Sequence, residues 1–398
     1  MSDTMDIAVV GAGLSGLLAA IALASAEPGA GARVALLDAD PIARPVRDTR
    51  ATALAPSTAR MMRALGIALP EAGPMVGMRV GEGEADSPWQ FELPTRANEP
   101  LALVVENAAL RRALLDRLDA LPVTRFSPVR VTALEREGRA TLQLDTGDTL
   151  APALVVAADG RHSALRRMAG LGVSRHDFKQ SALVLTVRHA EHHEGIALQR
   201  FQPVGAVASL PLADPHQSQI VWSDRNRAVR AAAQLQPPAL AALIDARLWG
   251  ALEVTDILGA AQTFPLIAQR SERLSAERVA LVGDAARIIH PLAGQGFNLA
   301  ARDVAALAQT VRDARATGQD IGTAGLIGYE RWRRADETLL GTLTTVLASA
   351  PRGMGLASRL KGHARRAVFA ATDSLPALHP FIRREAAGNT GAQPALLL

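Results

Sequence analysis

The sequence contains no cysteine. This absence excludes a disulfide framework, a cysteine nucleophile, a thiolate metal site and a cofactor linked through cysteine, and it agrees with a reducing compartment. Lysine is nearly absent too, because Lys179 and Lys361 are the only two. The sequence pI of about 10.4 therefore comes from arginine. Since arginine keeps its proton far above neutral pH, the high pI does not by itself indicate a nucleic-acid-binding protein.

Long apolar runs are also absent. No stretch reaches the roughly 18 residues that a membrane-spanning helix needs. No basic segment or cleavage site precedes the first predicted strand, residues 7–10, so no signal peptide is predicted. The 398 residues, 48% of them hydrophobic and 21% charged, suit a globular protein of two or three interleaved domains. We therefore expect a cytoplasmic protein.

A glycine-rich turn, Gly11–Gly16, joins a predicted buried strand to an apolar helix. The next predicted strand, residues 34–37, ends in Asp38. This order of strand, GxGxxG turn, helix, strand and acid is typical of a dinucleotide site, where the glycines admit the pyrophosphate and the acid binds a ribose hydroxyl. The alternative is an ordinary glycine-rich turn. The complete pattern favours dinucleotide binding.

A second glycine-rich motif lies within residues 278–303. It starts as a buried strand, turns at Gly283-Asp284, passes His290-Pro291 and enters the loop Gly294-Gln295-Gly296 before a predicted helix, residues 301–314. Glycine has no Cβ, so such a loop lets backbone N–H groups approach a planar or anionic ligand. The helix start adds unpaired N–H groups. We expect this motif to form the second half of one ligand site with the first.

Three other polar residues have two interpretations each. Asp159 follows a buried strand, residues 154–158, and fits either a ligand contact at the strand end or a plain Asp-Gly turn. Spacing alone favours a surface salt bridge for Arg50 over a ligand contact. Asn107 stands at the start of an amphipathic helix, residues 109–118, and could cap it or contact a ligand.

The middle of the chain has a different pattern. Predicted strands follow one another with polar turns and no helices between them, which indicates an antiparallel sheet and a second domain. These strands are residues 182–189, 197–201, 206–210 and 219–222, and a helix is predicted at 238–248. His189, His192 and His193 lie together, but no further ligands complete a metal site, so we expect a solvated turn.

The motifs resemble those of a known family when they are taken in order. GAGLSG with Asp38, DGRHSALR at 159–166 and GDAARIIHPLAGQGFNL at 283–299 are similar to the single-component flavoprotein aromatic hydroxylases, which have the para-hydroxybenzoate hydroxylase fold. DTRATAL at 48–54 and RFQPVGAVASLPL at 200–212 narrow the resemblance to the FAD-dependent ubiquinone-biosynthesis hydroxylases. The chain departs from that family at Arg287, where the family commonly has histidine.

The resemblance implies an α/β fold. It consists of a discontinuous Rossmann-like FAD-binding domain, an inserted antiparallel β-sheet substrate domain and C-terminal helices. The implied ranges are 1–72, 101–176 and 266–345 for the FAD-binding domain, 73–100 and 177–265 for the substrate domain, and 346–398 for the C-terminal helical region.

The resemblance also implies non-covalent FAD and its contacts. Residues 291–296 would lie along the isoalloxazine, with Pro291, Gly294 and Gln295 as the catalytic loop and no side-chain nucleophile or metal. The implied cofactor-binding residues are Gly11, Gly13, Leu14, Ser15, Gly16, Asp38, Arg50, Asn107, Val131, Asp159, Asp284, Pro291, Gly294, Gln295, Gly296, Phe297 and Asn298.

The implied reaction is hydroxylation of an aromatic ring. NAD(P)H would reduce FAD, and O₂ would form a flavin C4a-hydroperoxide that hydroxylates a polyprenylated phenol or quinol in ubiquinone biosynthesis. Two alternatives stay open: a flavin-dependent reductase or dehydrogenase of a lipid, and a flavin-binding scaffold subunit of a quinone-biosynthesis complex. No nucleic-acid partner is expected.

The C-terminal stretch, residues 354–382, mixes apolar residues with arginines such as Arg365 and Arg366. A basic amphipathic helix of this kind can lie on an anionic membrane surface, here the inner face of the cell membrane. It can equally pack on its own protein with its charges in water. The sequence leaves both interpretations open.

Overall fold

The structure is a computed structural model. It describes residues 5–26, 29–45, 48–82, 89–94, 99–289, 295–323, 325–333 and 393–398, with only the backbone for residues 82 and 89–94. The predicted loop residues His290, Pro291 and Gly294, and the stretch 354–382, lie outside the described residues.

The described strands and helices are numbered in chain order. The strands are β1 (Ile7–Val10), β2 (Val34–Leu37), β3 (Ala51–Leu54), β4 (Gly73–Met75), β5 (Gly77–Glu82), β6 (Trp89–Pro94), β7 (Ala102–Glu106), β8 (Thr124–Phe126), β9 (Val131–Glu135), β10 (Thr141–Leu144), β11 (Thr149–Leu150), β12 (Leu154–Ala157), β13 (Val173–His189), β14 (Ile196–Phe201), β15 (Ala206–Pro211), β16 (Gln217–Arg225), β17 (Val254–Ser271), β18 (Ser275–Ala276), β19 (Val279–Leu281) and β20 (Arg287–Ile288). The helices are α1 (Leu14–Ala24), α2 (Pro56–Ala64), α3 (Asn107–Asp119), α4 (Ala164–Met168), α5 (Asn226–Ala232), α6 (Pro237–Arg247), α7 (Gly296–Ala316) and α8 (325–333), with short 3₁₀ turns at Gly283–Ala285 and Ala395–Leu397.

The first sheet is almost entirely parallel. Its order is β18-β19-β12-β1-β2-β8, and only β18 runs antiparallel to its neighbour. The four residues of β1, β2 and β12 are all buried, as expected for apolar strands covered on both faces. Helix α1 is buried along most of its length because α3 and α7 pack against it. This sheet brings the ends of β1, β2, β12 and β19 to one edge.

The second sheet has eight strands in the order β20-β17-β13-β16-β15-β14-β5-β6. All its neighbours are antiparallel except β14 and β5. As predicted, no helix interrupts the run from β13 to β16, but α5, which follows β16 directly, was not predicted. Only Val229 and Ala232 of α5 are buried, so the segment is too short to show a clear helical period in the sequence.

The two faces of the second sheet have different neighbours. Helices α5 and α6 cover one face and bury a cluster around Trp222. The opposite face carries a smaller cluster of Ala182, Val184 and Leu266. The small sheet β3-β7-β4 packs beside it, where Val104 and Met75 meet Ala197.

Two further features concern the helices. Helix α7 begins at Gly296, five residues before the predicted start at Ala301, so Gly296, Phe297 and Asn298 form its first turn. None of the helices among the described residues is long and apolar enough to cross a membrane.

Candidate functional site

The three sequence motifs meet in space. A methyl group on Gly11 would lie 2.9 Å from the Cα of Asp159, and one on Gly283 would lie 2.7 Å from the Ser15 hydroxyl. The Arg166 guanidinium donates to the Ala285 carbonyl oxygen at 2.7 Å. Segments separated by more than 100 residues therefore form one cleft at the carboxyl ends of the parallel strands, where ligands bind in open α/β sheets.

The three motif glycines of the first turn play different parts. Gly11 has φ of +104°, a conformation that side chains rarely adopt. A methyl group on Gly16 would lie 1.7 Å from the Gly11 carbonyl oxygen, so this position permits no side chain. A methyl group on Gly13 would meet nothing within 4 Å. The turn is tightly packed at two glycines and open at the third, directly at the start of α1.

Asp38 lies at the end of β2 beside this turn. Its carboxylate accepts hydrogen bonds from the backbone N–H groups of Ala12 and Asp40. Its backbone carbonyl accepts from Val129 at 2.8 Å, which places the start of β9, with the half-buried Val131, next to it. Asp38, which the motif spacing predicted, and Val131, which the resemblance places near the adenine, thus lie at one end of the cleft.

Arg111 was missed in the sequence. Its guanidinium donates to the carbonyl oxygens of Ala12 and Ile42 and so ties α3 to the glycine turn. Burial lowers the pKa of Arg111, while the Asp38 carboxylate opposes this shift. A usable signal was present, because Arg111 follows Asn107 by four residues and residues at this spacing share one face of a helix.

Arg50 and Asn107 belong to one network. Arg50 holds Asp48 through two hydrogen bonds of 2.8 Å each. Asn107 donates to Asp48 at 3.0 Å and accepts from Thr52 at 2.6 Å. Helix α3 has no side-chain cap, so the capping interpretation of Asn107 is wrong. Burial alone would raise the pKa of Asp48, but the hydrogen bonds from Arg50 and Asn107 outweigh it and hold this pKa below its usual value.

Asp284 faces the middle of the cleft. Its side chain is open to the cleft, yet protein surrounds it on the other sides, and this burial raises the pKa of its carboxyl. The charges of Arg50 and Arg161 partly oppose the shift. A carboxylate at such a position is reached by solvent from the cleft side and can accept hydrogen bonds from a ligand.

This raised pKa predicts how Asp284 affects stability. The folded chain holds more protons than the unfolded chain between about pH 3.9 and the raised value, so stability falls as pH rises through that window. Replacement of Asp284 by Asn removes the cost of the buried charge. We expect Asp284→Asn to raise the Tm of the FAD-free protein at pH 7 and to weaken FAD binding about tenfold, as loss of one hydrogen bond to a charged group would.

Thermal melts from pH 4 to 8 and FAD titrations test this pair of effects. The exposed Asp116 on α3 provides the control, because Asp116→Asn makes the same chemical change outside the cleft. A lower Tm for Asp284→Asn at pH 7 would contradict the prediction.

Asp159 has a structural role that the sequence left undecided. One of its carboxylate oxygens accepts from the N–H groups of Ala164 and Leu165, at 2.7 and 3.2 Å, and so caps α4. The other oxygen is buried, with no hydrogen-bond partner among the described residues. The first oxygen therefore positions the turn.

The start of α7 closes the cleft from the other side. Asn298 is buried and donates to the Ala53 carbonyl oxygen at 2.9 Å, while its own amide oxygen accepts from Ala55 at 3.0 Å. It also donates to the Gln295 side chain at 3.1 Å. A methyl group on Gly296 would meet no atom of the described residues within 4 Å. Asn298 therefore fixes the first turn of α7 against β3 and leaves open space at Gly296.

A buried charge network supports the Gly283 turn, and no sequence motif indicates it. Asp303 on α7 is completely buried and accepts from Arg287 and, at 2.7 Å, from Arg333. Its second oxygen accepts from the Gly283 N–H at 3.1 Å. Arg287, noted earlier as a departure from the family pattern, thus takes part in positioning the loop that carries Asp284.

Comparison with known proteins agrees with this geometry. The family described as FAD binding domain matches residues 4–334. The chain is 36% identical over 351 residues to the ubiquinone hydroxylase UbiL of Rhodospirillum rubrum, covering 86% of this chain and 80% of that protein. It is 32% identical over 348 residues to the 3-demethoxyubiquinol 3-hydroxylase of Escherichia coli, covering 84% and 87%. The chain belongs to the FAD-dependent aromatic monooxygenases.

A solved structure supports the fold of this monooxygenase. PqsL of Pseudomonas aeruginosa, a probable FAD-dependent monooxygenase, superposes with a TM-score of 0.73 at 22% identity, covering 87% of this chain and 96% of that one. The expected α/β fold and the resemblance to ubiquinone-biosynthesis hydroxylases are confirmed.

The cleft of the monooxygenase fits FAD on its own chemistry. The open space at Gly13 lies at the start of α1, where unpaired N–H groups and the helix dipole favour phosphate. The open space at Gly296 lies at the start of α7. Asp38 at one end of the cleft and Asp284 in the Gly283 turn supply acceptors for hydroxyl groups. FAD binding and aromatic monooxygenase activity follow from the family and agree with these positions.

The histidines of the second sheet differ from the prediction of a solvated turn, which was wrong for two of them. His189 and His193 are buried, and burial lowers the pKa of both. His193 accepts from the Gly195 N–H at 3.0 Å, and His189 contacts the Glu191 carbonyl oxygen at 2.7 Å. Among the described residues, no group of three His, Cys, Asp or Glu side chains is arranged to hold a metal ion.

Proposed function

We propose that this monooxygenase hydroxylates the aromatic ring of a polyprenylated phenol or quinol in ubiquinone biosynthesis, using NAD(P)H and O₂. The observation that carries the proposal is the convergence of three distant motifs at the carboxyl ends of the parallel strands. Identities of 36% and 32% to two ubiquinone-pathway hydroxylases, over most of each chain, supply the substrate class.

We also propose which residues hold FAD. The turn Gly11–Gly16, with Leu14 and Ser15, would receive the pyrophosphate, and Asp38 the adenosine ribose, with Val131 near the adenine. Asp284 and Asp159 would face the ribityl chain and the pyrophosphate. The remaining proposed contacts are Arg50, Asn107, Pro291, Gly294, Gln295, Gly296, Phe297 and Asn298.

Bound FAD would supply the oxygen-activating chemistry, which no side chain could provide. The protein would bind and orient the cofactor and the substrate, and it would exclude water from them. The Asp48–Arg50–Asn107 network would keep the Arg50 guanidinium beside the cofactor, where its charge favours an anionic flavin. The backbone N–H groups at the start of α7 would act in the same direction.

The proposal is tested on the purified full-length protein. We expect bound FAD and O₂-dependent oxidation of NAD(P)H, with one oxygen atom entering a geranyl-substituted hydroquinone, as detected by mass spectrometry with ¹⁸O₂. A deletion strain should accumulate the matching quinone intermediate. Reduction of a quinone without oxygen incorporation would instead support the reductase alternative. Normal ubiquinone synthesis by a variant that folds but cannot bind FAD would support the scaffold alternative.

We further propose peripheral membrane association through residues 354–382, which lie outside the described residues. The support is the basic amphipathic pattern of the sequence. We expect Arg365→Glu with Arg366→Glu to reduce cosedimentation with anionic liposomes at least several-fold. Arg227→Glu with Arg230→Glu on the exposed side of α5 is the charge-matched control. Equal cosedimentation of both double variants would count against the proposal.

A further inference from the structure

The strand register of the second sheet orders its side chains in rows. Residues directly opposite each other on paired strands lie on the same face, and neighbours along a strand lie on opposite faces. Leu183, Leu185 and Trp222 pack towards α5 and α6. Ala182 and Val184, which alternate with them, belong to the cluster on the other face. The second face is therefore the one that α5 and α6 leave uncovered.

One row on this face has aromatic ends and a small centre. The register pairs its five members across five adjacent strands. In order they are Phe201, Ala206, Ser223, Ala182 and Phe264. Its three central side chains are small, and all three are buried.

The next row on the same face has amide ends and an apolar centre. In order across the same strands its members are Gln199, Ala208, Val221, Val184 and Gln262. Ala208, Val221 and both glutamines are partly exposed, whereas Ala206, Ser223 and Ala182 are buried. This second row, which we name the floor row, is thus the accessible part of the face.

The floor row lies next to the cofactor cleft. The Arg50 guanidinium lies 5.0 Å from the centre of the Phe264 ring, and Phe264 is two residues from Gln262 on β17. Arg50 also interacts with the charge of Asp284 in the cleft. The β17 end of the floor row is therefore nearest the proposed flavin position, and the β14 end, at Gln199, is farthest from it.

The two glutamine amides have unused hydrogen-bonding capacity. Neither Gln199 nor Gln262 makes a side-chain hydrogen bond to any described residue, while Gln219 on the same face donates to the Leu185 carbonyl oxygen at 2.7 Å. A glutamine amide both donates and accepts. An apolar ligand that covered these amides without pairing with them would leave two buried polar groups without hydrogen bonds, which would weaken its binding.

We propose that Gln199 and Gln262 determine substrate specificity by binding oxygen substituents on opposite sides of one aromatic ring that lies on Ala208, Val221 and Val184. This inference rests on the proposed function, because the ring is that of the hydroxylation substrate. Four strand spacings of about 4.8 Å place the two Cα atoms roughly 19 Å apart along the sheet. If both side chains lean inward, the gap between their amides holds one ring with a polar group on each side, so the expected ligand class is a dioxygenated ring rather than a simple phenol.

The test compares two probes that differ in one ring oxygen: a geranyl-substituted hydroquinone and the corresponding geranyl-substituted phenol. With the FAD-loaded enzyme, we expect a higher kcat/KM for the hydroquinone. Gln199→Leu and Gln262→Leu should each lower kcat/KM for it about tenfold, the effect of one lost hydrogen bond. Each variant should also reduce the preference for the hydroquinone. It should increase the amount of H₂O₂ formed per NAD(P)H oxidised, because O₂ is reduced without hydroxylation when the ring is poorly positioned.

The exposed Gln234 provides the matched control, because Gln234→Leu makes the same change outside both faces of the sheet. FAD affinity should be unchanged in all three variants, which separates a substrate effect from a damaged cofactor site. The double variant adds a further criterion. If both amides hold one ring, their effects on kcat/KM should be non-additive, although the two residues are too far apart for direct contact.

Two outcomes separate this inference from the proposed function. If the wild-type enzyme hydroxylates the hydroquinone but both variants keep its full preference, the inference is overturned and the proposed function stands. If the wild-type enzyme hydroxylates neither probe, the proposed function fails. Probe binding, measured by the change in flavin absorbance, then decides the inference: an unchanged binding preference in both variants overturns it, and a lost preference supports it.

Discussion

The substitution Gly13→Asp should abolish FAD binding without unfolding the protein. A side chain at Gly13 has space, since a methyl group there would meet nothing within 4 Å. The new carboxylate would stand where we propose the pyrophosphate binds. Two charges about 4 Å apart near a protein surface repel each other by about 4 kcal/mol, which corresponds to roughly a thousand-fold loss of affinity.

The same substitution should leave the FAD-free protein at least as stable as before. Gly13 occupies the N-cap position of α1, with φ −70° and ψ 178°, and no side-chain hydrogen bond caps that helix. Asp is a favoured N-cap residue and interacts favourably with the positive end of the helix. We expect an unchanged or higher Tm without FAD, measured by circular dichroism, together with the loss of FAD binding measured by fluorescence titration.

Gly13→Asn is the matched control, because it has the same shape and capping ability without the charge. It should bind FAD more tightly than Gly13→Asp. The difference between the two binding free energies measures the electrostatic repulsion by the new carboxylate. Wild-type affinity in Gly13→Asp would show that the space at Gly13 does not receive a phosphate. A substitution at Gly16 could not separate an effect on FAD binding from an effect on folding, because a methyl group there would lie 1.7 Å from the Gly11 carbonyl oxygen.

The substitution Asp303→Asn should cause the largest loss of stability. It leaves the guanidinium groups of Arg287 and Arg333 buried without their shared carboxylate. Removal of one partner from a buried ion pair costs about 3–5 kcal/mol, because the remaining charge cannot return to water. We expect a decrease of this size in the free energy of unfolding, measured by urea denaturation of the FAD-free protein.

Asp313→Asn on the same helix is the control for this prediction. Asp313 is exposed, and its carboxylate oxygen lies 3.9 Å from the Arg312 Nε. Exposed ion pairs contribute about 0–1 kcal/mol to the free energy of unfolding. A loss below about 1 kcal/mol for Asp303→Asn would contradict the view that the network carries a buried charge. The variant should also bind FAD more weakly, since Asp303 holds the Gly283 N–H next to Asp284.

The sequence predicted those parts of the site that are encoded over short distances. The turn Gly11–Gly16, Asp38 at the end of β2 and the Gly283-Asp284 turn each depend on a few neighbouring residues with known geometry. The antiparallel character of the second sheet followed from the run of strands without long helices. The family resemblance then supplied the order in which these parts combine.

The sequence could not predict the contacts that join the parts. Arg166 reaches the Ala285 carbonyl oxygen across 119 positions, and Arg111 reaches Ala12 across 99. Such pairs leave no periodic signal in a single sequence. The burial of His193 was missed for the same reason, because the cover comes from a distant turn at Leu212. Helix α5 was missed because its seven residues bury only two apolar side chains.

The arrangement of strands also sets the order of events during synthesis of the chain. Strand β12 needs β19 as its parallel partner, and β5 needs β14, more than 100 residues later. Because β19 belongs to the first sheet and β20 to the second, neither sheet is complete until residues beyond 280 have left the ribosome, and contacts of this separation form slowly. A nascent chain that stops earlier has the first glycine turn but lacks Asp284. If Asp284 holds FAD as proposed, stable retention of FAD would report that synthesis has passed this point.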